Sequence, residues 1–255
     1  MAETQVAIVT GASQGIGKAI ALRLAEDGFD IALNDIPRGK ENLEALSKEI
    51  ESTGRKTYIY IADVSVESEV KSMVASVVEA LGSVDVMVAN AGIAITKPFL
   101  ETTVDDWDRV LRVNGRGVFL CYQYAAKQMV KQGKGGRLIG ASSVLGKRGM
   151  ELLGPYSASK FAVRGLTQSV ATELGKYGIT VNAYAPGAIE TEMLEGLGVA
   201  FGDKEGFYAK MRSDAPMGYN GTPVDVANIV SFLASKKSHF VTGQSISVNG
   251  GLFFD

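Results

Sequence analysis

Tyr156 and Lys160 are the two residues whose types and spacing most directly suit proton-transfer chemistry. Apolar residues recur at helical spacing from Phe161 to Leu174, so this segment is predicted to be a helix. Residues four positions apart lie side by side on a helix. An ammonium group about 4 Å from a phenol, at an effective dielectric near 20, would supply the roughly 4 kcal/mol needed to lower the phenol pKa by about 3 units. The pair therefore predicts a general acid/base, although the same spacing also suits a packed ring beside a solvated amine.

A glycine-rich turn follows the first predicted strand, at residues 6–9, and opens a helix that is expected to end near Ala25. In a strand, turn and helix of this kind, the helix N-terminus can receive a phosphate group. The spacing is Gly-x-x-x-Gly-x-Gly rather than Gly-x-Gly-x-x-Gly, because Ile20 replaces the third glycine of the latter pattern. The turn is predicted to contact a dinucleotide through Gly11, Ser13, Gln14, Gly15, Ile16 and Gly17.

Two other motifs compete for the same residues. Ala12 stands where a nucleotide-binding phosphate loop needs its first glycine, and Ala19 offers no hydroxyl group to a magnesium ion. The Gly-x-Ser-x-Gly elbow of α/β-hydrolases matches residues 11–15 as a pattern, but only one strand precedes it and His239 is the only histidine available. The dinucleotide turn is therefore favoured.

Asp35 ends the second predicted strand, at residues 31–34, and stands eighteen positions after Gly17. An acid about 20 residues beyond the glycine turn is placed to accept hydrogen bonds from both hydroxyls of an adenosine ribose. The same carboxylate would repel a 2′-phosphate, so Asp35 predicts NAD rather than NADP. Arg38 leaves some use of NADP open. An aspartate at a strand end is also a common turn former.

Short apolar strands alternate with helices along the chain, without internal repeats or linkers. This alternation is typical of an α/β fold, in which helices cover both faces of a parallel sheet. Ligands of such sheets bind beyond the carboxyl ends of the strands. Further strands are predicted at 57–62, 84–89, 137–141, 179–185 and 245–248, and further helices near 40–53, 67–81, 103–131, 156–177 and 223–234.

The composition excludes several functional classes. The net charge of −2, with both signs interspersed, favours neither nucleic acid nor an anionic membrane as a partner. No apolar run approaches the ~18 residues of a membrane span, and the polar start, Met1 to Gln5, resembles no secretory signal. Cys121 and His239 are the only residues of their types, so an internal disulfide and the usual zinc ligand sets are excluded. We expect a cytoplasmic protein that binds no metal.

Short motifs follow one another along the chain in a fixed order. They are Thr10-Gly11-x-x-x-Gly15-x-Gly17, Asp63-Val64, Asn90-Ala91-Gly92, Asn114, Ser143, Tyr156-x-x-x-Lys160, and Pro186-Gly187 followed by Ile189 and Thr191. In order and spacing this set resembles the short-chain dehydrogenase/reductase family over essentially the whole length. The resemblance implies a Rossmann-type doubly wound parallel β-sheet in a single domain at 1–255, with a cofactor half at 1–140 and a catalytic and substrate half at 141–255.

The resemblance also implies roles for the catalytic residues. Tyr156 would exchange the alcohol proton, while Lys160 would lower the pKa of Tyr156 and bind the nicotinamide ribose. Ser143 would hydrogen-bond the substrate oxygen and stabilise the charge that develops there. Ser143 is chosen over Ser142 because the family places this serine thirteen residues before the tyrosine.

The remaining motif residues would hold the cofactor or support the site. Asn114 would hold a water chain behind Lys160, although a helix-kink residue is also a reasonable interpretation. Thr191 equally suits a cap for a helix at Met193. Asp63 and Val64 would bracket adenine, Asn90 would lie near the adenosine ribose, Ile189 and Thr191 would hold the carboxamide, and Ala91, Gly92, Pro186 and Gly187 would line the same cleft.

Residues 188–222 are irregular and rich in glycine and large apolar side chains. We call them the lid segment, because a long insertion at a strand's carboxyl end often covers a site. Amphipathic helices packed on the body are an equally open alternative. The predicted substrate pocket is small and apolar, without an obvious cation, and is formed by Ser143, Val144, Met150, Leu152, Leu153, Met193 and Leu194.

Three hypotheses for function remain open. The segment Tyr156 to Gln168 and the ending Asn249 to Asp255 look most similar to acetoin reductases and 2,3-butanediol dehydrogenases, which predicts an NAD-dependent enzyme for small secondary alcohols and ketones. An NADPH-preferring reductase of carrier-bound 3-oxoacyl chains, polyols or sugars is the second, and a non-catalytic NAD-binding scaffold protein is the third. The apolar tail at 252–254 suggests a subunit contact, and the family implies a homotetramer.

Overall fold

The computed structural model describes residues 4–254, so the predictions that involve Met1 to Glu3 and Asp255 lie outside it. Its strands form one parallel sheet of seven in the order β3-β2-β1-β4-β5-β6-β7. This arrangement confirms the predicted Rossmann-type α/β fold, and the predicted strand bounds agree with the observed ones to within two residues. The strands are β1 (Val6–Thr10), β2 (Asp30–Asp35), β3 (Thr57–Ile61), β4 (Val86–Ala89), β5 (Gly136–Ala141), β6 (Ile179–Pro186) and β7 (Ser245–Val248).

The strand order reverses beside β1, which pairs with β2 on one side and β4 on the other. In the register of these pairs Thr10 lies opposite Asn34, and Val9 lies opposite Val88, so the strands reach the same edge of the sheet. Chains that leave neighbouring strands at this point diverge to opposite faces and open a crevice, where doubly wound folds bind their ligands.

Helices cover both faces of the sheet. One apolar core contains residues of α1, α2 and α9, and the other contains residues of α3, α5 and α6. Every residue of β1 is buried, as the two-sided covering of a parallel sheet requires. The helices are α1 (Gly15–Glu26), α2 (Lys40–Glu51), α3 (Glu67–Leu81), α4 (Val104–Leu111), α5 (Gly117–Gln132), α6 (Gly154–Leu174), α7 (Glu192–Ala200), α8 (Lys204–Asp214) and α9 (Pro223–Ala234).

The helix predicted at 103–131 is present at residues 104–132, but it contains a turn of a different kind. Between α4 and α5 the chain forms a π-helical turn, Arg112–Arg116, with Asn114 buried inside it. Helical periodicity in the sequence does not reveal one wider turn, because the residues on both sides keep their amphipathic spacing. Such π turns inside helices frequently occur at functional sites.

The lid segment folds as two short helices, α7 and α8, joined by a tight turn. Their buried faces meet in a small cluster around Leu194, Phe207 and Met211. The two ends of the segment are held together by backbone hydrogen bonds, because Gly221 N donates to Ala188 O at 2.9 Å and Glu190 N donates to Gly221 O at 2.9 Å. Within residues 4–254, no helix is both long and apolar enough to cross a bilayer.

Candidate active site

The end of β5 and the start of α6 bring Ser143, Tyr156 and Lys160 together at the carboxyl edge of the sheet. Ser143 follows β5, while Tyr156 and Lys160 lie one turn apart near the start of α6. The Ser143 hydroxyl lies near enough to the Tyr156 hydroxyl to lower the pKa of the phenol. The Lys160 amine lies over the Tyr156 ring, 5.3 Å from its centroid. A serine, a phenol and an amine therefore converge on one point of the crevice, as the sequence predicts.

The structure separates the two neighbouring serines. The Ser142 side chain is directed into the protein, where its hydroxyl donates to the backbone oxygen of Lys160 at 3.1 Å. Gly146 packs so tightly here that a Cβ atom would overlap Ser142 Oγ. Ser143 instead reaches the tyrosine, and its Oγ also accepts a hydrogen bond from Leu145 N at 3.1 Å. Ser142 thus joins β5 to α6, whereas the Ser143 side chain lies beside Tyr156.

The electrostatic balance of the pair differs from the sequence-based expectation. Burial raises the pKa of the Tyr156 hydroxyl, and its hydrogen bond with Ser143 lowers that pKa by less. Lys160 is only 3% exposed, and burial lowers its own pKa to about 8. Its amine donates to the Ala141 carbonyl at 2.8 Å. From the sequence we expected the Lys160 charge to lower the Tyr156 pKa by more than burial raises it. That expectation does not hold for the chain alone, because burial removes water from both the phenol and the amine.

Asn114 joins the π turn to the strand end after β4 and to α6. Its amide accepts from Ile93 N at 2.9 Å and donates to Ile93 O at 2.9 Å. It also donates to Ser159 Oγ at 3.0 Å. Asn114 is fully buried and does not line the crevice, so its side chain supports the site from behind. The interpretation as a helix-kink residue agrees with its place in the π turn.

The glycine turn leaves the N-terminus of α1 open. Gln14 stands at the N-cap without a side-chain capping bond, and the first turn of α1 carries no acidic residue. Gly11 and Gly15 adopt positive φ angles of 62° and 54°, which glycine reaches without strain. A helix start with uncapped amides and no negative charge fits a phosphate-bearing group, as the sequence predicts.

Asn90 fixes the floor of the crevice. Its amide nitrogen donates to Thr10 O at 2.9 Å and to Gly11 O at 3.1 Å. Its amide oxygen accepts from the hydroxyl of Tyr184 at 2.8 Å. The Asn90 side chain therefore binds β1, β4 and β6 to one another. Tyr184 was not identified from the sequence, because a tyrosine inside an apolar strand resembles ordinary core.

Asp35 lies at the far end of the crevice and is the last residue of β2. Its carboxylate accepts from Ser13 N at 3.2 Å and from Ile36 N at 2.8 Å. Gly39 packs against it, since a Cβ atom there would lie 3.0 Å from Asp35 Cγ. Arg38 lines the same end of the crevice. An acid suited to a ribose and a cation suited to a phosphate thus lie near each other.

All of these groups open onto one continuous cavity of about 1150 Å³. Nearly every residue predicted to bind cofactor or substrate lines it; Asn114 and Leu152 are the exceptions. The lining residues among the predictions are Gly11, Ser13, Gln14, Gly15, Ile16, Gly17, Asp35, Asp63, Val64, Asn90, Ala91, Gly92, Ser143, Val144, Met150, Leu153, Tyr156, Lys160, Pro186, Gly187, Ile189, Thr191, Met193 and Leu194.

Two expectations about the substrate end were wrong. Leu152 does not line the cavity; its backbone has a φ of 63°, and its carbonyl oxygen accepts from Lys97 N at 3.0 Å. A pocket wall without a cation was also expected, yet the side chain of Arg148 lines it. Charge in a loop cannot be placed relative to a cavity until the loop's path is known. Thr191 caps α7, its hydroxyl accepting from Leu194 N at 3.4 Å, while also lining the cavity.

The predicted role of the C-terminal tail is revised in part. Leu252 and Phe253 pack on a small apolar cluster that contains Val144, Leu153 and Tyr156. Only Phe254 is strongly exposed, at 80%. Two of the three apolar tail residues therefore close the substrate end of their own chain rather than face solvent.

Comparison with known proteins agrees with this geometry. A family model described as enoyl-(acyl carrier protein) reductase, of the short-chain dehydrogenase type, matches residues 11–253. The chain belongs to the short-chain dehydrogenase/reductase family of oxidoreductases, whose members typically use a nicotinamide cofactor, NAD or NADP.

The similar proteins include enzymes with different substrates. A short-chain dehydrogenase/reductase of Armillaria gallica is 52% identical over 100% of this chain and 98% of its own. The 3-oxoacyl-[acyl-carrier-protein] reductase of Staphylococcus aureus is 42% identical over 99% of this chain and 100% of its own. L-2,3-butanediol dehydrogenase of Corynebacterium glutamicum is 41% identical over 99% and 100%. The solved acetoin dehydrogenase of Salmonella typhimurium is 35% identical, with a TM-score of 0.87 over 98% of this chain and 96% of that one.

Proposed function

We propose that this protein is an NAD(H)-dependent oxidoreductase that interconverts a small secondary alcohol and its ketone. The observation that carries the proposal is that Ser143, Tyr156 and Lys160 line one cavity, with the Lys160 amine 5.3 Å from the centroid of the tyrosine ring. Together these groups form a site that can hold a carbonyl oxygen and move a proton to or from it.

In this proposal Tyr156 donates its hydroxyl proton to the carbonyl oxygen during reduction and removes it during oxidation. Ser143 donates a hydrogen bond to the same oxygen and stabilises the negative charge that develops on it. The bound nicotinamide cofactor supplies or accepts the hydride. Lys160, held by Ala141 and seated behind the ring, binds the cofactor's ribose hydroxyls and favours the phenolate when its amine is protonated.

The substrate end of the cavity supports a small and largely apolar substrate. Val144, Met150 and Leu153 form one wall, and Met193 and Leu194 of α7 form the other. Relatives named L-2,3-butanediol dehydrogenase and acetoin dehydrogenase act on molecules of this size, which favours acetoin, diacetyl and 2,3-butanediol as first candidates.

Asp35 supports NAD over NADP. Its carboxylate is fixed by two backbone amides at the adenosine end, where it would accept ribose hydroxyls and repel a 2′-phosphate. Arg38 at the same end would offset part of that repulsion. We therefore propose that the enzyme prefers NAD but retains some activity with NADP.

A second candidate is an NADPH-preferring reductase of carrier-bound 3-oxoacyl chains. Arg109 and Arg112 line the cavity from α4 and the π turn, and the Staphylococcus aureus relative carries that name. A carrier's phosphate would find two cations there. A non-catalytic scaffold is disfavoured, since the serine, tyrosine and lysine are all present and converge.

We also propose a homotetramer that functions in the cytoplasm and contacts neither nucleic acid nor membrane. Large apolar side chains are exposed on the outer faces of α4, α5 and α6, namely Trp107, Phe119 and Phe161. Pairing of these faces between copies would remove them from water. Light scattering that gave a monomer's mass would contradict this proposal.

The experiment is the rate of NADH oxidation with acetoin and with diacetyl, and NADPH in parallel. We expect turnover with both ketones and a kcat/KM at least tenfold higher with NADH. Higher efficiency with NADPH and a 3-oxoacyl thioester than with NADH and either ketone would instead favour the carrier-dependent reductase.

A further inference from the structure

Arg148 is an exposed residue that lines the same cavity as Tyr156 and follows the short turn after Ser143. It lies over the ring of Phe253, which packs on the apolar cluster around Val144, Leu153 and Tyr156, so we place it at the substrate end of the cavity. The apolar lining residues at this end are Val144, Met150, Leu153, Met193, Leu194, Leu197 and Leu252.

The backbone at this position is fixed. Lys147 is buried beside it, and its amine donates to Ser245 O at 2.7 Å and to Ser247 Oγ at 2.8 Å. Arg148 N donates to Val144 O at 3.1 Å. Arg148 therefore lies in a loop whose backbone is held to the sheet through its neighbour Lys147. The loop has six residues between the 3₁₀ turn at Val144–Gly146 and residue 153.

No carboxylate neutralises this guanidinium in the part of the chain that the structure describes. Its one side-chain contact of note is with the ring of Phe253, 5.9 Å from the centroid. Asp35 and Asp63 lie beyond β2 and β3, three and four strands away from β5. Asp105 and Glu192 also line the cavity but form no ion pair with Arg148.

We propose that Arg148 is the binding site for an anionic group of the substrate, and that the preferred substrates are oxo acids and the corresponding hydroxy acids. The inference rests on the proposed function and narrows its substrate class. A guanidinium presents paired donors that match a carboxylate. Because Arg148 is an exposed residue, salt is expected to screen that ion pair.

The test compares each oxo acid with its methyl ester, which keeps the ketone and removes the charge. Acetoacetate, levulinate and 5-oxohexanoate, each beside its ester, cover three spacings between carboxylate and ketone. We expect kcat/KM to favour the acid over the ester by about tenfold in at least one pair, as one charge-assisted hydrogen-bonded contact implies. The advantage should decline as salt is added.

Variants distinguish binding of the carboxylate by Arg148 from a general effect of positive charge on the protein. Arg148→Gln should reduce the acid-to-ester ratio about tenfold, and Arg148→Lys should retain more of it than Gln does. Comparing ratios between variants cancels the different intrinsic reactivity of acids and esters. Arg212→Gln is the matched control, because Arg212 is an exposed arginine of α8 that does not line the cavity. An unchanged ratio in Arg148→Gln, or an equal fall in Arg212→Gln, would overturn the proposal.

Failure of the proposed function can be distinguished from failure of this inference. If no ketone is turned over, the oxidoreductase proposal fails, and binding is then measured by NADH fluorescence in Tyr156→Phe and in Tyr156→Phe/Arg148→Gln. Tighter binding of an acid than of its ester, lost in the double variant, would still support the anion site. Equal binding of acid and ester in both variants would overturn it.

Discussion

The amine of Lys160 lies 5.3 Å from the centroid of the Tyr156 ring, and both residues lie on the first turns of one helix. The amine is also fixed to Ala141 at the end of β5. Helix α6 is thus fastened to the sheet at the place where the proton donor stands. The arrangement orients the tyrosine, and it requires the lysine to be almost completely buried.

The burial of Lys160 should make the stability of the protein depend on pH. Burial lowers the pKa of Lys160 from 10.5 to about 8, so below pH 8 the buried amine is protonated, which destabilises the folded state. Between about pH 8 and 10.5 the unfolded chain binds more protons than the folded one, so this residue's contribution to stability rises with pH. Lys160→Met removes the contribution, so its stability relative to wild type should fall by about 3 kcal/mol between pH 7 and 10.

Urea unfolding at both pH values would measure this change. Lys131→Met, at an exposed lysine, serves as the control for removing a positive charge from the surface. A constant difference for Lys160→Met would mean that Lys160 titrates as it would in water.

The two adjacent serines should separate function from stability. Ser143→Ala removes the hydroxyl that bonds Tyr156 and should lower kcat about a hundredfold, with little change in the melting temperature. Ser142→Ala removes a buried hydrogen bond to Lys160 O and should lower the free energy of unfolding by about 1 kcal/mol, with a much smaller loss of kcat. The opposite pattern would exchange the roles assigned to them.

Asp35→Ala should narrow the preference for NADH over NADPH. Removal of the carboxylate takes away an acceptor for ribose hydroxyls and leaves Arg38 to attract a 2′-phosphate. We expect the ratio of kcat/KM values to fall about tenfold or more. Asp108→Ala, at an exposed aspartate of α4, is the matched control. Equal ratios in the two variants would show that Asp35 does not select the cofactor.

Two glycine substitutions should act in opposite directions. A Cβ atom at Gly17 would overlap the carbonyl oxygen of Gly11, so Gly17→Ala should cost about 3 kcal/mol or more and abolish NADH binding. Nothing lies within 4 Å of a Cβ atom at Gly196, inside α7, so Gly196→Ala should stabilise the protein by about 0.5–1 kcal/mol. Thermal unfolding and NADH fluorescence would measure both effects, and a stable Gly17→Ala that binds NADH would contradict the close packing.

The fold could be predicted from the sequence because each strand carries a short apolar run bounded by turn residues. The polar residues after the strands, such as Asp35 and Ser143, could be placed on one edge for the same reason. Hydrophobic periodicity predicts where helices and strands lie, but it does not predict the local geometry within them. The π turn around Asn114 covers five residues, which is too short a stretch for helical periodicity to reveal.

The energetics of the site were less predictable than its geometry. The spacing of Tyr156 and Lys160 places the two groups together, but burial costs both of them hydration, and spacing alone does not measure that cost. The position of Arg148 depends on a loop path and on a C-terminal tail that are far apart in the sequence. The residues that form the substrate end of the cavity could therefore be identified only from the structure.

The central claim is that Tyr156 moves the proton. The most direct test compares Tyr156→Phe with wild type and with Tyr177→Phe, at an exposed tyrosine. NADH binding is followed by fluorescence, and turnover is followed with the best ketone substrate. We predict that Tyr156→Phe binds NADH within about threefold of wild type and loses at least a thousandfold in kcat, as loss of a general acid implies, while Tyr177→Phe matches wild type in both. Turnover by Tyr156→Phe near the wild-type rate would contradict the account.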